Sequence, residues 1–328
     1  MTYTTADLGP YKKYSYALRL RDGVVYGGRD RPEPGNYNVH AAFWDGGWTM
    51  LPDPSPGIVS SVATSGVAGR ICGGFTVPGL EEFGRATIWE DNGGAWTPIP
   101  LPMPVGAIGS WASKISMDGE VIAGELSFAQ FDDAAAIWTR NGGSWDVQTL
   151  PRPDVRAFAT GLPGPDADTV IGDVLDRPRY YPVRWTNSPP WSYVPLPPPN
   201  GVSHADVYAG SENTTDGWTA GWISVSDGPA RAVRWSPNAT QAEDIGAGDD
   251  TYATSLHSGR VVGVHDGSGL ERAFVWSAQT GVVDIHPSGW DWSYPGDIDA
   301  AGRIVMVAGM GTMGNPTTDK SILLLTPA

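Results

Sequence analysis

The chain has 328 residues, 41% hydrophobic and 17% charged, with 43 Gly, 29 Pro, 15 Trp and a single cysteine, Cys72. That apolar content excludes wholesale disorder, one cysteine excludes a disulfide framework or a cysteine-cluster metal site, and no apolar run of about 18 residues offers a membrane-spanning helix. The formal net charge of −15 argues against nucleic acid or an anionic membrane as partner, because both select basic surfaces.

In chain order, the first element is a short strand at Thr4–Gly9, TTADLG. Four further segments follow: SYAL at Ser15, DGVVYGG at Asp22, AAFW ending at Trp44 and WTML at Trp48. The same four return as SVAT at Ser61, GRICGG at Gly69, ATIW ending at Trp89 and WTPI at Trp96. A third copy reads SWAS at Ser110, GEVIAG at Gly119, AAIW ending at Trp138 and WDVQTL at Trp145. The fourth reads AFAT at Ala157, DTVIGD at Asp168, PVRW ending at Trp185 and WSYVPL at Trp191. SHAD at Ser203, GWTAGW at Gly217, AVRW ending at Trp235 and AEDIG at Ala242 make the fifth. TYAT at Thr251, GRVVGV at Gly259, AFVW ending at Trp276 and VVDIH at Val282 make the sixth. The last has YPGD at Tyr294, GRIVMV at Gly302 and SILL ending at Leu324, and no fourth segment.

The third segments end 45, 49, 47, 50, 41 and 48 residues apart. Periods of about 40–50 residues with four strands each belong to propeller blades. The expected fold is therefore all-β: one seven-bladed β-propeller domain of four-stranded antiparallel blades. The blades fall at about 10–51, 58–101, 107–150, 156–196, 202–246, 250–286 and 293–326. Residues 2–9 resemble the fourth segments, so they are expected to join the last blade and close the ring, which removes an exposed edge.

Two columns read as packing. Gly27, Gly73, Gly124, Gly172, Gly221 and Gly263 share one place in the second strands, where glycine marks a close approach. The expected occupant of that space is a Trp of the neighbouring blade. Ala17, Ala63, Ala112, Ala159, Ala205, Ala253 and Gly296 form a small-residue column in the innermost strands, which crowd the axis.

The core H/R-A-x-apolar-W, at His40–Trp44 and Arg272–Trp276, followed by a D-[IL]-G strand, resembles the HAF repeat of predicted extracellular bacterial proteins. The resemblance spans essentially the whole chain. It implies a secreted propeller-like protein and assigns no chemistry or catalytic residue. The absence of a recognisable signal peptide points instead to a cytoplasmic protein.

Function is expected on the face bearing the long second-to-third-strand loops and at the channel mouth beneath it. The residues preceding the alanine column are Tyr16, Val62, Trp111, Phe158, His204, Tyr252 and Pro295. With Arg156, Trp292 and Tyr294 they suggest a pocket for a small, largely apolar molecule or a glycan, bound by Tyr16, Trp111, Phe158, Arg156, Trp292 and Tyr294. Acid–base candidates are His204 and Asp206, two apart and so on one strand face, with Tyr252 and Asp297; Asp299 shares a face with Asp297. The packing alternative is that these aromatics simply fill the gaps between blades. No zincin, nucleophile-elbow or P-loop string is present, no cofactor is expected, and a structural divalent cation is the one ion considered. Cys72 in an apolar strand reads as an inert thiol.

Three functions remain open: a monomeric ligand-binding propeller, a bacterial secondary-metabolite cyclase, isomerase or lyase at the channel mouth, and a protein-interaction scaffold. Fold does not decide among them.

Overall fold

A computed structural model describes residues 2–10, 18–30, 39–78, 84–129, 132–152, 156–164, 167–176, 179–188, 190–198, 205–210, 217–225, 228–266, 270–311 and 319–328. They form seven four-stranded antiparallel sheets, each meandering outward from an innermost strand. The chain is a seven-bladed β-propeller. Blade 1 starts with Arg19–Arg21, blade 2 with Ser60–Val67, blade 3 with Gly109–Ile115 and blade 4 with Arg156–Gly161. Blade 5 starts with Ala205–Gly210, blade 6 with Thr251–His257 and blade 7 with Trp292–Ile298.

Ring closure follows the expected route. Tyr3–Pro10 pairs antiparallel with Lys320–Pro327, Thr4 opposite Thr326 and Asp7 opposite Leu323, and so becomes the outermost strand of blade 7. Leu8 is buried there at 7% exposure, and its carbonyl accepts a hydrogen bond from Trp48 Nε1 of blade 1 at 2.7 Å.

The tryptophans that end the third strands are core residues. Trp89, Trp138, Trp185 and Trp235 are 0% exposed. Each donates its indole N–H to a proline carbonyl that follows the preceding blade's last strand: Pro52, Pro102, Pro151 and Pro197, at 2.7–2.8 Å. A buried indole N–H needs a partner, and the repeated Leu-Pro step after the fourth strand supplies it.

The glycine column has a different cause from the one expected. A Cβ on Gly73, Gly124, Gly172 or Gly263 would sit 1.8–2.3 Å from the carbonyl oxygen of Val62, Trp111, Phe158 or Tyr252, on the innermost strand of the same blade. Each innermost strand bulges just after its alanine, at Ala63/Ser65, Ala112/Lys114, Ala159/Gly161 and Ala253/Ser255. The bulge turns that carbonyl onto the second strand, and in these four blades glycine leaves it room, whereas blade 7 carries Met306 at the matching place. The neighbour's tryptophan meets the next residue instead: Trp111 packs where Gly74 and Gly84 of blade 2 would carry side chains.

Two repeats shift against the expected columns. In blade 5 Ala209, not Ala205, lies opposite Gly221. In blade 7 Pro295, not Gly296, precedes the bulge. The residues that precede the column position are therefore Tyr208 and Tyr294, in place of His204 and Pro295.

Hydroxyls clip neighbouring blades together. Ser61, Ser110, Thr251 and Ser293, near the start of their innermost strands, accept the backbone N–H of Ala41, Ala86, Ala232 and Ala273 in the preceding blade at 2.9–3.0 Å. Blade 4 has Ala157 at the hydroxyl position, and Pro182 stands where the next blade's clip would need an N–H donor.

Candidate functional site

The described residues enclose a cavity of about 130 Å³ at one end of the central channel. Its walls are the last residues of innermost strands and the tight turns that follow them, from blades 1, 2, 3, 6 and 7. This is the short-turn end, opposite the long-loop face expected from the sequence. Much of that face lies outside the described residues.

Four of the polar lining residues, Arg19, Ser65, Lys114 and Asp297, belong to one column. Two places beyond the alanine position stand Arg19, Ser65, Lys114, Gly161, Ser255 and Asp297. The bulge aims this column inward. Lys114 is 3% exposed, and Arg19 and Arg21 project from blade 1 into the same space. Arg19 Nη1 donates to the carbonyl of Gly296 at 3.3 Å. Arg21 Nη1 reaches across blade 2 to the carbonyls of Gly66 at 3.0 Å and Ile115 at 3.3 Å. His257, Ser258 and the Tyr26 phenol complete the wall. Burial pushes the Tyr26 phenol well up, so it stays protonated.

The carboxylates here act as braces. Asp297, 0% exposed, accepts Leu20 N–H of blade 1 at 2.8 Å, Ser255 Oγ–H of blade 6 at 2.7 Å and its neighbour Ile298 N–H at 2.7 Å. One side chain thus ties three blades. Asp299 pairs with Arg303 at 2.7 Å and also accepts Gly23 N–H at 3.1 Å.

The remaining candidates do not converge. Tyr16 and His204 lie outside the described residues, and Asp206 is placed only by its backbone, opposite Ser224. Trp111 fills the space over Gly74 and Gly84. Tyr252 packs edge-on against Trp222 of blade 5, centroids 5.2 Å apart, and burial raises its phenol, with Asp250 and Asp266 adding to the shift. Trp292 is 2% exposed and lies against Gly309 of its own blade. Tyr294 is the most open of the set at 36%. Cys72 is fully buried and its thiol is pushed up to about 11 by that burial, in keeping with an inert role. Among the described residues no group of acidic, histidine or cysteine side chains is arranged to hold a metal ion.

Arg156 and Phe158 belong to a second polar group, between blades 3 and 4. The Arg156 guanidinium lies 5.4 Å from the Phe158 ring centroid and bonds Asp133 at 2.6–2.8 Å. Beside them Glu125 occupies the place that Gly74 holds in blade 2. Burial raises its carboxyl to about 7, the Asp133 charge adds to the rise, and Arg156 opposes it. A carboxyl whose folded pKa lies above its unfolded value binds the extra proton in the folded state, so stability falls as pH rises through the interval between the two. Between pH 4.5 and 7 the chain is expected to lose on the order of 2 kcal/mol from this group. Urea melts of Glu125→Gln across that range check it, and the variant should lack that part of the slope.

No protein-family model and no curated protein sequence matches the chain. Solved structures do resemble it. A puromycin hydrolase superposes with a TM-score of 0.63 at 16% identity, over 90% of this chain and 50% of that one. A puromycin-hydrolyzing peptidase of Mycobacterium tuberculosis gives 0.63 at 13%, over 96% and 54%. The β-propeller domain of the Trilobed protease from Pyrococcus furiosus gives 0.58 at 9% identity, over 94% of this chain and 97% of that domain. The chain spans about half the length of the two hydrolases and nearly all of the isolated propeller domain. At such identities the likeness is one of fold, and the chain is similar to peptidase propeller domains in that sense.

Proposed function

We propose that the protein is a ligand-binding β-propeller whose small-molecule site is the short-turn end of the central channel, and that the ligand is a compact anion. The observation that carries this reading is the convergence of Arg19, Arg21 and Lys114 on one cavity, where Asp297 and Asp299 are already held by blade-bracing hydrogen bonds and Asp22 adds a third carboxylate. Guanidinium and ammonium groups that meet in one small volume can donate charge-assisted hydrogen bonds to a carboxylate or phosphate. The cavity of about 130 Å³ lies below the roughly 300–1,000 Å³ of drug-sized pockets, which suits an anion of few atoms. Because Asp297 and Asp299 are engaged in bracing hydrogen bonds, the geometry favours binding over acid–base catalysis.

Calorimetric titration with phosphate, sulfate, succinate and citrate tests the reading. Saturable binding that weakens with added salt is expected for at least one of them. Arg19→Ala and Lys114→Met should each weaken it by about tenfold or more, the worth of a charge-assisted hydrogen bond. Binding that is absent for every anion, or unaffected by both substitutions, would overturn the proposal.

A further inference from the structure

The tryptophans that open the outer strands cover the preceding blade. Trp48 donates its indole N–H to the Leu8 carbonyl of blade 7 at 2.7 Å and lies under the Arg29 guanidinium of its own blade at 4.7 Å. Trp96 meets Phe43 of blade 1 edge-on, with centroids 5.4 Å apart. Trp145 is 9% exposed within a cluster that includes Ile88 and Leu101 of blade 2. Trp191 of blade 4 is partly buried, as Trp48 and Trp96 are, here against the core between blades 3 and 4. The residue before Trp138 in blade 3 is Ile137, as Ile88 precedes Trp89 in blade 2. An open cleft of about 360 Å³ remains between blades 3 and 4.

Its lining has a definite chemistry. Val121 and Ile137 contribute apolar surface; Thr139 and Gln148 of blade 3 stand across from Asn187 and Trp191 of blade 4. No lining residue is charged, although the chain carries a net charge of −15. Thr139, Gln148 and Asn187 are exposed, so their hydroxyl and amide groups are presented to a ligand at little desolvation cost. An indole beside amides and a hydroxyl, with no charge, matches a molecule that has C–H faces, many hydroxyls and no charge. We propose that this inter-blade cleft is a binding site for a neutral saccharide, stacked against Trp191 and hydrogen-bonded by Gln148 and Asn187. The cleft's volume falls within the roughly 300–1,000 Å³ typical of ligand pockets, and its openness to solvent suits one or two sugar units of a longer glycan. The site is distinct from the channel cavity and does not depend on it.

The full chain is titrated with maltose, cellobiose, lactose and N-acetylglucosamine, followed by tryptophan fluorescence and calorimetry. Succinate serves in parallel as a probe of the channel. Saturable binding of at least one sugar is expected, with a dissociation constant in the millimolar range or tighter. Gln148→Ala and Asn187→Ala, both at exposed positions, should each weaken it by about fivefold, and Trp191→Ala should abolish it. The response to succinate should be unchanged in Gln148→Ala and Asn187→Ala. If Trp191→Ala fails to fold, the two exposed variants carry the test. The proposal is overturned if no sugar binds saturably up to about 50 mM, or if binding survives both exposed substitutions undiminished.

Discussion

Gly172→Ala is expected to destabilise the protein by about 3–5 kcal/mol, at the exceptional end of single substitutions. Space, not backbone angle, is the reason. The new Cβ would lie 1.8 Å from the Phe158 carbonyl oxygen, and the carbon of that carbonyl would be only 2.8 Å away. These are main-chain atoms held by the bulge at Ala159/Gly161, so no flexible side chain is available to swing aside. Either the bulge is lost, and every residue beyond it turns to the other face of the sheet, or the first two strands of blade 4 part. Gly47→Ala is the control. Nothing lies within 4 Å of its would-be Cβ, and a change within about 0.5 kcal/mol is expected. Paired urea melts of the two variants decide the matter, and equal midpoints would refute the crowding argument.

Deleting residues 2–10 is expected to lower the melting temperature by about 10 °C or more and to make the protein aggregate. The deletion strips Tyr3–Pro10 from Lys320–Pro327 and leaves that strand's ladder groups open along its length. It also uncovers the pocket that buries Leu8, worth about 1.5–3 kcal/mol, and leaves the Trp48 indole N–H without its carbonyl acceptor. Because this strand completes blade 7 and also meets Trp48 of blade 1, the damage falls on blades 1 and 7 together. A synthetic peptide of residues 2–10 added in trans should recover part of the lost stability. A deletion variant that melts like the full chain would show that closure contributes little.

The blades and the closing strand were legible in the sequence because a propeller repeats the contacts that hold it together. Trp89, Trp138, Trp185 and Trp235 solve one packing problem four times, so they recur 47–50 residues apart. Two kinds of information did not repeat. Register failed where local composition offered a decoy: Ala205 and Ala209 lie four apart in blade 5, and only the pairing of Ala209 with Gly221 selects between them. In blade 7 Pro295 takes the alanine's place and disguises the column. The glycine column was visible, but a small residue does not say which neighbour crowds it. The channel cavity was missed for a deeper reason. Its column reads Arg19, Ser65, Lys114, Gly161, Ser255, Asp297, and a search for sameness passes over a position whose members differ. Counting two places beyond each alanine, with the register corrected in blade 7, would have found it.

The hydroxyl clips are spread unevenly, and that gives the ring a mechanical grain. Four seams share a bond between a serine or threonine and the neighbour's backbone, whereas Ala157 and Pro182 deny it to the seams on either side of blade 4. Blade 4 is instead moored by longer side chains: Trp185 on the Pro151 carbonyl, Trp235 on the Pro197 carbonyl, Arg184 on the Ser236 and Pro237 carbonyls of blade 5, and the Arg156–Asp133 pair. Its seams therefore trade short, stiff hydroxyl stitches for long, jointed tethers, and opening of the circle there should depend on those tethers.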